Sequence, residues 1–130
     1  FMRANIYSAF ATLAMGLEIL KNEDVAVDTL LGHGGLFKTP GVAQRYLAAA
    51  AGAPVTCMET AGEGGPYGMA LLAAYRLHRA EGETLADYLK TRVFAGASST
   101  TLTPDAADVA GFASFLREYE RALKAERAVV

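Results

Sequence analysis

The sequence predicts an α/β fold, rich in helix around a short parallel sheet. Three observations predict it. Apolar residues recur at steps of three and four over much of the chain. Two short apolar runs, Val25–Leu31 and Pro54–Met58, each lead into a glycine-rich loop. A helical segment separates those runs, and consecutive strands joined through a helix pair in parallel with a right-handed crossover.

Each element has its own signal. Met2, Ile6, Phe10, Leu13, Leu17 and Leu20 form one apolar row, which predicts a helix over residues 2–21. Lys21–Asp24 is a polar turn before the first strand. Thr39 and Pro40 suit the N-cap and first position of a helix over residues 40–51, and Gly52 suits its stop. Pro66 opens a third helix carrying Met69, Leu72, Ala73 and Leu77. Thr84, with Asp87 three residues on, caps a short fourth helix. Gly96–Thr103 reads as a small-polar linker, and Thr103-Pro104-Asp105 starts a long last helix with the stripe Val109, Phe112, Leu116, Tyr119 and Leu123. The residues expected to be most buried are Leu13, Leu17, Leu30, Leu47, Val55, Leu72, Phe112 and Leu116.

Composition bounds the function. At 130 residues, 52% hydrophobic and 20% charged, the chain can bury a real core and is not disordered. A net charge of −2 lacks the basic excess of a nucleic-acid binder. Arg3, Asn5 and Glu18 break the first helix's apolar pattern, so it is neither a signal peptide nor a membrane span. The lone cysteine, Cys57, sits in an apolar run, which points to a buried thiol in a reducing, cytoplasmic compartment. One cysteine and two histidines make no metal-ligand cluster. The chain starts inside a helical pattern, and two strands make a marginal sheet alone. It therefore reads as a single, incomplete domain over residues 1–130, with an apolar edge beside Val25–Leu31 that invites self-association, including a homodimer.

The chemistry concentrates in Leu30–Gln44, where a strand runs through Gly32, Gly34 and Gly35 into a helix start. Glycines let a ligand approach the backbone, and a helix start offers free N–H groups and a positive dipole end to an anion. The same glycines could simply make a tight turn.

The loop Gly32-His33-Gly34-Gly35-Leu36-Phe37-Lys38-Thr39-Pro40, the strand Val55–Met58 with Glu59-Thr60, and the helix start Glu63–Ala70 together resemble the C-terminal domain of FGGY-family carbohydrate kinases, with ribulokinase-like and xylulokinase-like members most similar. The resemblance implies part of an actin-like, ribonuclease H-like ATPase domain. It implies ATP with Mg²⁺, and transfer of the γ-phosphoryl to a ketose or polyol hydroxyl. Gly34 and Gly35 would then lie against the nucleotide, with Lys38 and Thr39 as the polar positions after them. The family's catalytic aspartate, sugar-binding residues and N-terminal domain have no counterpart here, so no catalytic residue is assigned and the isolated chain is expected to be inactive. Leu36-Phe37 and Gly64-Gly65-Pro66 depart from the family's usual pattern.

Plainer roles stand beside these. His33 and His78 lack a nucleophile partner and read as structural or surface residues. Glu59 and Glu63 read as acceptors for backbone N–H groups in the second glycine loop. Cys57 is a poor nucleophile, because an apolar strand raises its pKa. A dinucleotide-binding domain would need a third glycine where Phe37 stands. A non-catalytic actin-like interaction module is the other alternative.

Overall fold

A computed structural model describes residues 1–128. Five helices, α1 (Met2–Asn22), α2 (Val42–Ala51), α3 (Gly64–His78), α4 (Leu85–Tyr88) and α5 (Ala106–Arg127), accompany three strands, β1 (Leu30–Leu31), β2 (Val55–Met58) and β3 (Ser99–Leu102). The strands form one sheet in the order β1-β2-β3. The fold is α/β, as the sequence predicts.

The predicted parallel pair is present, with Leu30 opposite Val55 and Leu31 opposite Thr56. It is shorter than expected, because only Leu30 and Leu31 of the Val25–Leu31 run join the ladder. The sheet is also mixed rather than purely parallel. The stretch expected to be a linker contains β3, which pairs antiparallel with β2 from Val55–Leu102 to Met58–Ser99. All four β3 residues are exposed, so the strand has no apolar alternation to betray it. Thr56 and Thr101 meet hydroxyl to hydroxyl at 2.8 Å across this pair.

The core lies around α2, which packs against α1, α5 and β2. Its buried face is Ala43, Gln44, Leu47, Ala48, Ala49 and Ala51. Tyr7, Phe10, Ala14, Val55 and Phe112 close around it. Small residues let helices approach closely, and α1 answers the alanines of α2 with Ala11 and Ala14. The inward row of α1 is therefore Tyr7-Phe10-Ala11-Ala14. Of the predicted row only Phe10 is buried, and Leu13 is 43% exposed. The two rows are adjacent and share Phe10, so periodicity finds the helix but not which row faces in.

Other boundaries move for local reasons. Helix α2 starts after Gly41, which adopts φ 76°, and Thr39 is extended without a side-chain cap. An extended Thr39 fits a helix start, but left-handed Gly41 interrupts the chain after Pro40, so the helix begins two residues later than predicted. Gly52 ends it at φ 66°, as expected. Helix α3 starts at Gly64, ahead of Pro66, and buries no residue. Leu72, expected inside, is 49% exposed, because α3 leaves the core. Leu17, Leu30 and Leu116 are half-buried.

The Thr84 cap is the one predicted, and within the predicted start Thr103-Pro104-Asp105 it is Asp105 that caps α5. The Thr84 hydroxyl accepts the Asp87 N–H at 3.1 Å. The Asp105 carboxylate accepts the N–H groups of Ala107 and Asp108 at 3.0 and 3.1 Å. Helix α4 continues as a π turn, Leu89–Val93. Asp108 is buried and paired with Arg45, which ties α5 to α2. Strand β1 is a sheet edge with Val25 and Leu31 exposed beside it, the apolar edge the sequence predicts. Among the described residues no helix is long and apolar enough to cross a membrane.

One buried group is unsatisfied. The Tyr7 ring packs edge-on to Tyr46 and Phe112, but its hydroxyl finds no hydrogen-bond partner. Burial pushes its pKa up. Deleting an orphaned buried hydroxyl removes a desolvation cost, so Tyr7→Phe is expected to gain about 1 kcal/mol. The raised pKa means that the unfolded chain ionises first. The stability tied to it is complete below the usual tyrosine value of about 10 and falls as pH rises through the folded value. Thermal melts of both proteins at neutral and alkaline pH check this. A variant less stable at pH 7, or with an unchanged alkaline limb, contradicts it.

Candidate functional site

Two glycine loops meet at the carboxyl ends of β1 and β2. The first begins with Gly32, whose N–H donates to the Thr56 carbonyl at 2.9 Å and extends the parallel ladder. A Cβ on Gly32 would stand 2.5 Å from Phe37 Cε1 and 2.8 Å from Cys57 Sγ. Gly32 thus makes room for Phe37 beneath the loop. Gly34 adopts φ 106° and ψ 178°, a conformation open in practice only to glycine. Its N–H donates to Ala61 of the second loop at 2.7 Å.

That bond starts a clasp between the loops. A 3₁₀ turn, Gly35–Lys38, carries Lys38 across to the second loop. A Cβ on Gly62 would lie 2.9 Å from Lys38 Cγ, so the lysine stem runs over bare backbone. The Lys38 ammonium ends on the Glu63 carboxylate at 2.5 Å. The expectation that Glu63 caps a backbone N–H is thus corrected: its carboxylate takes Lys38. His33 packs against Gly64, where a Cβ would sit 3.0 Å from Nδ1, so it is a packing residue at the start of α3.

The clasped loops border a cleft of about 660 Å³. Phe37–Gly41 form one wall, Cys57–Glu63 the floor and second wall, and Ser98–Thr100 the third. Clefts of this size hold drug-sized ligands. Of the four predicted binding residues, Lys38 and Thr39 line the cleft, whereas Gly34 and Gly35 stand outside its lining. At Gly35 an added Cβ meets nothing within 4 Å.

Two contributors escape the sequence reading. Ser98–Thr100 belong to the stretch read as a linker. Gln44, at the base, is 3% exposed. Its Nε2 donates to the carbonyls of Val55 and Thr100, both at 2.8 Å, and its Oε1 accepts from the Thr100 hydroxyl at 3.3 Å. The available signal was a lone amide three residues before Leu47, on the face of α2 that turns inward.

The lining is chemically mixed. Phe37 and Met58 give it apolar surface, and Thr39, Thr60, Ser98, Ser99 and Thr100 give it hydroxyls. Its charged residues are Lys38, Glu59 and Glu63. This suits a ligand with an apolar ring and hydroxyl groups better than a dense cluster of anions. Among the described residues no group of three His, Cys, Asp or Glu gathers to hold a metal ion.

Cys57 is half-buried in the floor, and burial pushes its thiol pKa up, partly opposed by a hydrogen bond from the Gly32 backbone. It is therefore a thiol at neutral pH, as the sequence predicts. Iodoacetamide is expected to modify it more slowly at pH 8 than an unfolded control, whose thiol ionises near 8.5, with the rate rising at higher pH than the control's. Equal rates at pH 8, followed by intact mass, contradict the burial of this group.

The match to known families covers both glycine loops and stops before the third wall. The FGGY family of carbohydrate kinases, C-terminal domain, matches residues 1–77. That span runs from α1 through both glycine loops into α3, and leaves α4, β3 and α5 outside it. No curated protein and no solved structure matches the chain. With more than half of its residues matched, the chain belongs to the FGGY family of carbohydrate kinases, through that family's C-terminal domain.

Proposed function

We propose that this chain is the ATP-holding part of a sugar kinase that transfers the γ-phosphoryl of ATP to a ketose or polyol hydroxyl. The observation that carries the reading is the clasped pair of glycine loops, both inside the family-matched segment, which form two walls of a cleft of about 660 Å³. The cleft's apolar and hydroxyl lining suits the nucleoside. Its charged lining holds a single lysine, which argues for the polyphosphate lying along the first loop, between Lys38 and the bare backbone at Gly35. Thr39 is then a hydroxyl partner at the rim and Lys38 a nearby cation. Mg²⁺ would be carried by the phosphates, since the cleft offers no ligand cage.

In the reaction, a bond forms from the sugar oxygen to the γ-phosphorus as the bond to the bridging oxygen of ADP breaks. The sugar's proton passes to a base supplied by another part of the protein, as does the sugar site. Phosphoryl transfer depends on positioning and electrostatics, and this chain's share is to hold the nucleotide in line. We place the kinase in the cytoplasm, near ribulokinases and xylulokinases in substrate class, with the β1 edge as the surface for a homodimer.

Gly35→Val tests the assignment. The added side chain meets open space in the ligand-free fold, so the melting temperature should stay within a few degrees. A bound nucleotide would occupy that space, so the dissociation constant for ATP should rise by at least about tenfold, or 1.4 kcal/mol. Gly16→Ala, equally unobstructed but on α1, should change nothing in binding. Calorimetric titration with ATP decides. A folded Gly35→Val protein that binds ATP like the parent removes Gly35 from the site.

A further inference from the structure

Lys38 is the one positively charged side chain lining the cleft among the described residues, and it is already engaged. Its stem crosses Gly62, its ammonium sits on Glu63, and four residues before it the Gly34 N–H bonds Ala61. The three contacts join the same two loops. Glu63 therefore occupies the place on Lys38 that an anionic ligand group would take.

We propose that Lys38 and Glu63 form a latch: Glu63 holds the first glycine loop to the second at the cleft, and an incoming phosphate opens it by taking over the lysine. This deepens the nucleotide reading and rests on it for the identity of the anion. Both side chains are more than half exposed. Such pairs are weak, which is what a contact that must be exchanged for a ligand requires. A buried pair would resist opening, and a free lysine would leave the loops untied. Glu63 is then a positioning residue that sets anion affinity from within the site.

The latch makes two separable demands on the 130-residue chain. Without ligand, Glu63→Gln and Lys38→Met should each speed hydrogen exchange of the Gly34 amide, and the charge-swapped pair Lys38→Glu with Glu63→Lys should slow it again. With ligand, Glu63→Gln should bind ATP and inorganic tripolyphosphate about 2- to 5-fold more tightly, the range open to an exposed pair, and adenosine no differently. Lys38→Met should weaken ATP binding, and adding Glu63→Gln to it should restore nothing. Unchanged Gly34 exchange in Glu63→Gln overturns the latch. Weaker ATP binding by Glu63→Gln, or an equal gain for adenosine, overturns the competition with phosphate. A wild-type chain that binds neither ATP nor adenosine refutes the nucleotide reading and the phosphate as opening ligand, while the exchange data still decide the tether.

Discussion

The amide of Gln44 is the contact on which the cleft's architecture depends. It is buried in α2 and donates to a carbonyl on β2 and another on β3. Strand β3 has no buried side chain of its own. Besides the ladder to β2 and the Thr56–Thr101 hydroxyl contact, what fixes it is this amide and the Thr100 hydroxyl that answers it. Each such bond contributes about 1 kcal/mol net, but leaving a buried partner unpaired costs about 1–3 kcal/mol. The constraint is therefore stronger as a prohibition than as an attraction. Because α2 is also packed by α1 and α5, Gln44 transmits the position of the helical core to the third wall of the cleft.

The glycines divide the rest of the work, and they do so by different physics. Gly32 and Gly62 are bare because a neighbour's side chain, Phe37 or Lys38, fills the space. Gly34 is glycine because its backbone angles demand it. Gly35 has neither reason, since its Cβ direction is open and its φ is not left-handed. Gly16, Gly65, Gly68 and Gly96 are equally free; Gly35 differs from them in standing between Gly34 and the cleft-lining end of the turn that carries Lys38, which is why the nucleotide assignment leans on it.

The helices were legible in the sequence because their caps and periods are local. Thr84 and Asp105 hold the N–H groups that their positions imply. The parallel pairing of β1 with β2 followed from the intervening helix alone. What escaped depends on partners far along the chain. A Ser/Thr stretch becomes β3 only because β2 and Gln44 present groups to it. Tyr7 rather than Leu13 faces inward because α2 offers alanines at close approach. The first loop was recognisable as a candidate site, but the clasp between Lys38 and Glu63 joins residues 25 positions apart and had no signature in either loop. Gln44 was visible only as a polar residue in an apolar helix, a mark that many surface positions share.

The central claim is that the two glycine loops and β3 form one nucleotide-holding cleft organised from Gln44. Amide chemical shifts of the isotopically labelled chain, followed during titration with ATP, test it most directly. The account predicts saturable shifts at Gly35, at Phe37–Thr39 and Gly41, at Cys57–Glu63 and at Ser98–Thr100, the bare loop backbone and the three walls of the cleft, with the Gln44 side-chain amide moving alongside them. Shifts confined to the surface hollow at Tyr75–Leu85, or none at millimolar ATP, would contradict it.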